Sequence, residues 1–178
     1  MTVPTRNALQ TVAHEVHRLT IPISAPFDDF RNRYEQAVPE VDMRRLEALV
    51  AAGADWDAIL AAAAQNAPYD FMRYWGFDAT PLMRLAGNSA RCIEYLMGNH
   101  TIAERMYRHD PAIMLYAPLR SALYADDTPD TWFAIDQPST LFRSFGDAAI
   151  TKVGLGLDRK LAALLEHLDV PVPPALTR

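Results

Sequence analysis

This chain of 178 residues has one cysteine, seven glycines and no apolar run of membrane-spanning length. The single thiol, Cys92, excludes an internal disulfide framework and any multi-cysteine metal site. It falls in a strand-like run, where a free cysteine is by default a small buried hydrophobe, and nothing local demands an activated thiolate. A transmembrane helix needs about 20 consecutive apolar residues, and none is present. The opening residues MTVPTRNALQ lack the basic start and apolar stretch of a secretory signal, so the expected location is cytoplasmic. No glycine-rich strand-to-helix turn exists, and Gly154-x-Gly156 lies inside a helical pattern, so there is no nucleotide fingerprint. Positive charge is also in deficit. The formal net charge is −5, the pI is near 5.5 and no basic stripe runs along the sequence, which argues against nucleic acid as the main partner.

What is present suits one ordinary globular domain. Half of the residues are hydrophobic and 22% are charged. A chain this long buries roughly two-thirds of the surface that it exposes when unfolded. Residues 1–11 read as a loose polar arm. Residues 12–23, rich in β-branched side chains and closed by Pro22 and Pro26, predict a strand. Pro26 opens a helix over 27–37, ended by Pro39. Asp42 starts a helix whose Met43, Leu46, Leu49 and Val50 have the spacing of a buried face, and Gly53 stops it. Asp55 can cap an alanine-rich helix over 56–65. This pair, about 42–66, reads as a helical insertion.

Beyond it, aromatic residues over 69–75 predict a strand, and Pro81 with two glycines marks 77–89 as a loop. A strand at 91–97 and a helix at 101–108 follow. Residues 119–124 and 131–135 read as a hairpin around the polar turn ADDTPD, after which Pro138-Ser139 leaves the sheet. Asp147 caps the longest helix, where Ile150, Val153, Leu157, Leu161, Leu164 and Leu168 share a face. Gly154 and Gly156 weaken it, and close packing on the sheet would explain them. Residues 170–178 predict an extended, mobile tail. The sum is one α+β domain over 12–169, with a mainly antiparallel sheet of about five strands backed by helices.

The candidate chemistry gathers around the turn after the 91–97 strand. His100 and Glu104, four apart, share a helix face and suit proton transfer, with His100 as general acid or base and Glu104 orienting it. Two ligands fall short of a metal site, so no metal is assigned, and no cofactor is legible. The competing reading makes Thr101 and Glu104 a capping box, or gives the cap to Asn99. Arg120 and Tyr124 share one strand face, and Trp132 and Asp136 share a face of the next strand. If the faces coincide, Arg120 and Asp136 pair, or Arg120 offers its fork to an anion. Arg73 stands among the aromatics Tyr69, Phe71, Tyr74, Trp75 and Phe77, where a cation needs a partner. His14 and His17 face opposite sides if their segment is a strand, and His109 and His167 sit near helix C-termini. No serine has a G-x-S-x-G context, so a serine hydrolase is not indicated.

The Gly98-Asn99 turn, the helix ending in His109-Asp110-Pro111, Pro118 entering a strand and the hairpin ending in Asp136-x-Pro138 resemble the bacterial domain-of-unknown-function 302 family, mainly over 92–142. The segment 16–38 is similar to the start of that domain. The resemblance implies a compact α+β domain with an antiparallel sheet, commonly paired as a homodimer, and brings no catalytic mechanism. This chain differs from shorter relatives in its 42–66 helices, and in having Ala117-Pro118 where many relatives carry a cysteine. Taken together, the expected function is binding of a partly apolar and anionic small molecule in a mixed aromatic and polar cleft. Arg73, Trp75, Asn99, Arg120, Tyr124 and Asp136 would be its ligand-binding residues. Two alternatives remain: a dimeric structural or interaction domain without ligand chemistry, and an enzyme using His100.

Overall fold

The computed structural model describes residues 9–126 and 130–177. Five antiparallel strands form one sheet in the order β1-β5-β4-β3-β2. These are β1 (Arg18–Ile23), β2 (Met72–Asp78), β3 (Arg91–Gly98), β4 (Leu119–Ala125) and β5 (Thr131–Asp136). Alternation sends one face inward. Ile93, Tyr95 and Met97 of β3, Leu119 and Leu123 of β4, and Phe133 and Ile135 of β5 are all buried. Helix α1 (Phe27–Ala37) meets this face with Phe30 and Tyr34, and the Tyr34 ring lies 5.0 Å from that of Tyr95 and 5.6 Å from that of Phe133. Helix α7 (Ala148–His167) seals the same core with Ile150, Leu157, Leu161 and Leu164.

Helices α2 (Met43–Ala51) and α3 (Trp56–Asn66) follow α1, each started by an aspartate. Asp42 accepts from the Arg45 N–H at 3.0 Å and Asp55 from the Ala58 N–H at 2.9 Å, satisfying amides that a helix start leaves free. Asp147 does the same for α7 through Ala149 and Ile150. Helix α5 (His100–Tyr107) follows β3 directly, and a 3-10 turn, Pro111–Leu115, returns the chain to β4.

Several expectations need correction. Only Arg18–Ile23 of the 12–23 segment is a strand; residues 9–17 have no regular structure, since β5 offers partners only to Arg18 and beyond. The aromatic strand begins at Met72 rather than 69, and the 77–89 segment contains the short helix α4 (Thr80–Leu85), with Pro81 in its first turn. Pro138 likewise opens α6 (Pro138–Arg143), a helix absent from the sequence reading. The apolar stripe of α2 is only partly covered: Leu46 packs against the cluster of Val41, Ala63, Ala67 and Met72, whereas Val50 is 74% and Met43 48% exposed. Gly154 packs closely on α6, not on the sheet. A Cβ there would lie 3.2 Å from Ser139 Cα and 3.1 Å from Phe142 Cβ.

The C-terminal tail is anchored over its described length. Leu176 is fully buried, and Gln137 donates to the Ala175 carbonyl at 3.0 Å. The buried Asp158 accepts from Gln137 at 2.8 Å and from the Ser139 N–H at 2.8 Å, tying α7 to the end of the sheet.

Candidate functional site

A cavity of about 310 Å³ lies beneath α5, walled by Ile102 and Met106 of that helix, Met114, Leu119, Phe142 and Leu157. The side chains that line it are mostly apolar; the polar ones are Asn99 and His100 at the turn between β3 and α5, Glu104 and Tyr107 of α5, and Tyr74. Asn99 caps α5, accepting from the Thr101 N–H at 2.9 Å, and its amide donates to the Asp70 carbonyl at 3.0 Å. Asp70 itself has a φ of 68°, a left-handed conformation uncommon for a non-glycine residue. Gly98 lets the turn close, because a Cβ there would come within 3.3 Å of Pro118.

His100, the first residue of α5, is held at two points by one hydroxyl. Tyr74 Oη accepts from the His100 backbone N–H at 3.0 Å and lies 2.8 Å from His100 Nδ1. The backbone amide occupies one of the phenol's two lone pairs. If the phenol proton goes to Nδ1, the neutral ring carries its own proton on Nε2; if Nδ1 is the donor, Nε2 is an acceptor. Nε2 is buried and has no partner among the described residues. Burial depresses the His100 pKa below its ordinary value of 6.5, which keeps the ring neutral at pH 7. Burial also pushes the Tyr74 phenol up to about 12.

Glu104 lines the same cavity but does not orient His100, and it forms no capping box. Its carboxylate accepts from Arg108 Nε at 3.0 Å one turn along α5, while Asn99 has taken the cap. The residue that orients His100 is Tyr74. It comes from β2, and no spacing in the sequence couples it to α5.

Arg73 and Trp75 belong to a separate, polar pocket of about 210 Å³ at the edge of the sheet. Arg73 Nε donates to the Val38 carbonyl at 2.8 Å, and its guanidinium lies 5.9 Å from the centre of the Tyr95 ring. Glu35 accepts from Tyr95 Oη at 2.7 Å and Arg31 Nε at 3.1 Å. Burial raises its pKa, but these bonds outweigh burial and hold the carboxyl below its ordinary 4.5. Arg31 also approaches Asp78 at 3.6 Å, so several of the pocket's charges already have partners.

Arg120, Tyr124 and Asp136 lie on the opposite face of the sheet from the core. Ser121 pairs with Ile135, so Arg120 and Asp136 occupy adjacent ladder positions, yet they do not pair. Arg120 bonds Glu94 on β3 at 2.9 Å and Asp136 approaches Arg18 on β1 at 3.8 Å. The expected single cleft uniting His100, Arg73 and Arg120 is therefore not formed. A bulge between Arg73 and Trp75 and strict alternation on β4 send these side chains to three different surfaces.

The remaining candidates are structural. Tyr69 stacks on His167 at 3.7 Å, Phe71 and Met72 are buried, and Met83 is exposed on α4. His14 contacts Tyr116 at 3.2 Å and His17 contacts Glu15 at 2.8 Å, so they do not form a pair. Burial raises the Cys92 pKa, as expected of an unreactive thiol. Among the described residues no group of three or more His, Cys, Asp or Glu side chains could hold a metal ion. No described helix is long and apolar enough to cross a membrane.

An antiparallel five-stranded sheet backed on its core face by helices, with a cavity at the turn between β3 and α5, defines the class of domain. The model of the family described as domain of unknown function DUF302 matches residues 70–168, more than half of the chain, and the chain belongs to that family. A solved structure described as an uncharacterized conserved DUF302 protein from Bacillus stearothermophilus shares the fold, with a TM-score of 0.61. It is 16% identical, and the match covers 85% of this chain and 97% of that one. No curated protein matches the chain.

Proposed function

We propose that the protein binds a small, neutral, mainly apolar molecule bearing one hydrogen-bond acceptor in the cavity beneath α5, with His100 Nε2–H as the donor. The observation that carries this reading is the buried Nε2 without a partner. A buried donor left unsatisfied costs about 1–3 kcal/mol, which a ligand acceptor would recover. The volume, about 310 Å³, is at the small end of ligand pockets. An anionic ligand is no longer favoured, because neither Arg73 nor Arg120 lines this cavity and the imidazole is neutral. The support does not extend to catalysis. Glu104 is held by Arg108 and the Tyr74 phenol stays protonated, so neither of these two neighbours exchanges protons readily with His100 near neutral pH.

Native mass spectrometry of the freshly purified chain, followed by titration with small neutral ketones and phenols, tests the reading. Binding that is lost in His100→Leu, with the fold unchanged by circular dichroism, is the expected outcome. Equal binding by His100→Leu, or no binding from such a set, would overturn it.

A second reading concerns the outer sheet face and a second copy of the chain. Trp75 and Phe77, 47% and 41% exposed, stack at 5.9 Å beside Leu96, and Tyr124 and Trp132 pair on the same face beyond the Glu94–Arg120 ion pair. Such a face suits a two-fold homodimer. Light scattering on the wild type and on Trp75→Glu tests this: a dimer that becomes a monomer supports it, and a monomeric wild type ends it.

A further inference from the structure

Where α7 passes α5 there is another concavity, of about 390 Å³, which shares only Ile102 with the His100 cavity. It is lined by Arg105 of α5 and by Lys152, Arg159 and Lys160 of α7, with Asp70 as the one carboxylate. Lys160 is paired with Asp70 at 2.7 Å. Arg105, Lys152 and Arg159 have no carboxylate partner among the described residues. Three positive charges are therefore uncompensated in one groove of a chain whose formal net charge is −5.

An independent feature lies on the floor. Gly156 sits in the middle of the longest helix, where alanine is the better residue. Its φ is not positive and a Cβ added to it would meet nothing within 4 Å, so neither a turn nor a close contact demands glycine there. Gly154, two residues earlier, has such a demand from Ser139 and Phe142. The space above Gly156 is the groove itself, and a side chain at that position would project into it, between Lys152 and Lys160 on the same helix face.

We infer that this groove binds a soluble small molecule with two or more closely spaced anionic groups, phosphates or carboxylates. Arg105 and Arg159 bring planar forks that match either group, Lys152 and Lys160 add point charges, and Gly156 leaves room for the ligand against the helix. The cations are gathered in one concave volume rather than spread along a track. That suits a compact ligand and not a nucleic acid backbone or a membrane surface.

The test is an amide NMR titration of the whole chain with pyrophosphate and with citrate, at ionic strength held constant by sodium chloride. At least one probe should give saturable shifts at amides 102–105 and 152–163. Affinity should fall tenfold or more in Arg105→Gln/Arg159→Gln and in Gly156→Leu, with the rest of each spectrum unchanged. The probe that binds more tightly then identifies the anion chemistry. No saturable shift with either probe, equal affinity in the variants, or binding only to phosphatidic acid vesicles would each overturn the inference. The His100 cavity is untouched by these substitutions, so this outcome is independent of the ligand proposed there.

Discussion

The two concavities that meet at Ile102 are built in opposite ways. Several walls of the His100 cavity are core side chains from α5, β4, α6 and α7, and His100 at its rim has a buried ring nitrogen without a partner among the described residues. The basic groove is a surface feature: its cations project from two helices whose other faces make the core, and most of its side chains support nothing beneath them. Changes to the first should therefore act on stability and binding together, whereas changes to the cations of the second should act on binding alone. Gly154 and Gly156 reproduce the contrast within one helix, the first pressed against α6 and the second facing open space.

Emptying a wall of the cavity should have the largest effect. Phe142 is fully buried, and Phe142→Ala should destabilise the fold by about 3–5 kcal/mol through lost burial and the enlarged void, read by urea unfolding. A loss below 1 kcal/mol would mean that this wall does not support the core. Gly154→Ala comes next, at about 1–3 kcal/mol, since the Ser139 backbone and the buried Phe142 have little freedom to yield. Tyr74→Phe should follow at about 1–3 kcal/mol, because it strips the partner from both His100 Nδ1 and the His100 amide. The same substitution should change the titration of His100 in a histidine NMR experiment, and an unaltered His100 resonance would count against the assigned hydrogen bonds.

The pH dependence of stability has a definite sign at His100. Its pKa is depressed in the folded state, so the unfolded chain takes up the proton first as pH falls below 6.5. This contribution is fully favourable above 6.5 and is lost progressively as pH falls toward the folded-state value. Urea midpoints at pH 7.5 and 5.5 should differ more in the wild type than in His100→Leu; equal differences would contradict burial of a neutral ring. Smallest of all, Gly156→Ala should stabilise the chain by up to about 1 kcal/mol, because it improves the helix and meets no neighbour. A destabilisation there would erase the contrast with Gly154.

Much of the fold could be read from local signals. Helix α1 has the bounds that Pro26 and Pro39 implied, and Asp42, Asp55 and Asp147 cap the helices that they precede. The β4–β5 hairpin and the long apolar stripe of α7 follow from spacing alone. Short helices opened by proline, α4 and α6, escaped because six residues carry too little periodicity to distinguish a helix from a loop. The α2 stripe misled for another reason. Amphipathic spacing says that a helix has an apolar side, but not how much of it a partner covers.

The candidate site was legible only in part. His100, Asn99 and Glu104 were recognisable as neighbours because one turn and one helix connect them. Their relation to Tyr74 was not, since that contact joins residues 26 apart on different elements. Alternation put Arg120 with Tyr124 and Trp132 with Asp136, but that the two faces coincide, and that the partners are Glu94 and Arg18, follows from a strand order and register that no local pattern specifies. The basic groove escaped for the same reason: its cations are spread over α5 and α7 and form no stripe along the chain. By itself, then, the sequence determined the class of fold, most helix starts and the alternation of the strands, because propensity, capping and periodicity act over a few residues. Which side chains share a cavity, which charges find partners and which glycine faces open space were decided only by tertiary structure, because packing and electrostatics act through space between residues that are far apart along the chain.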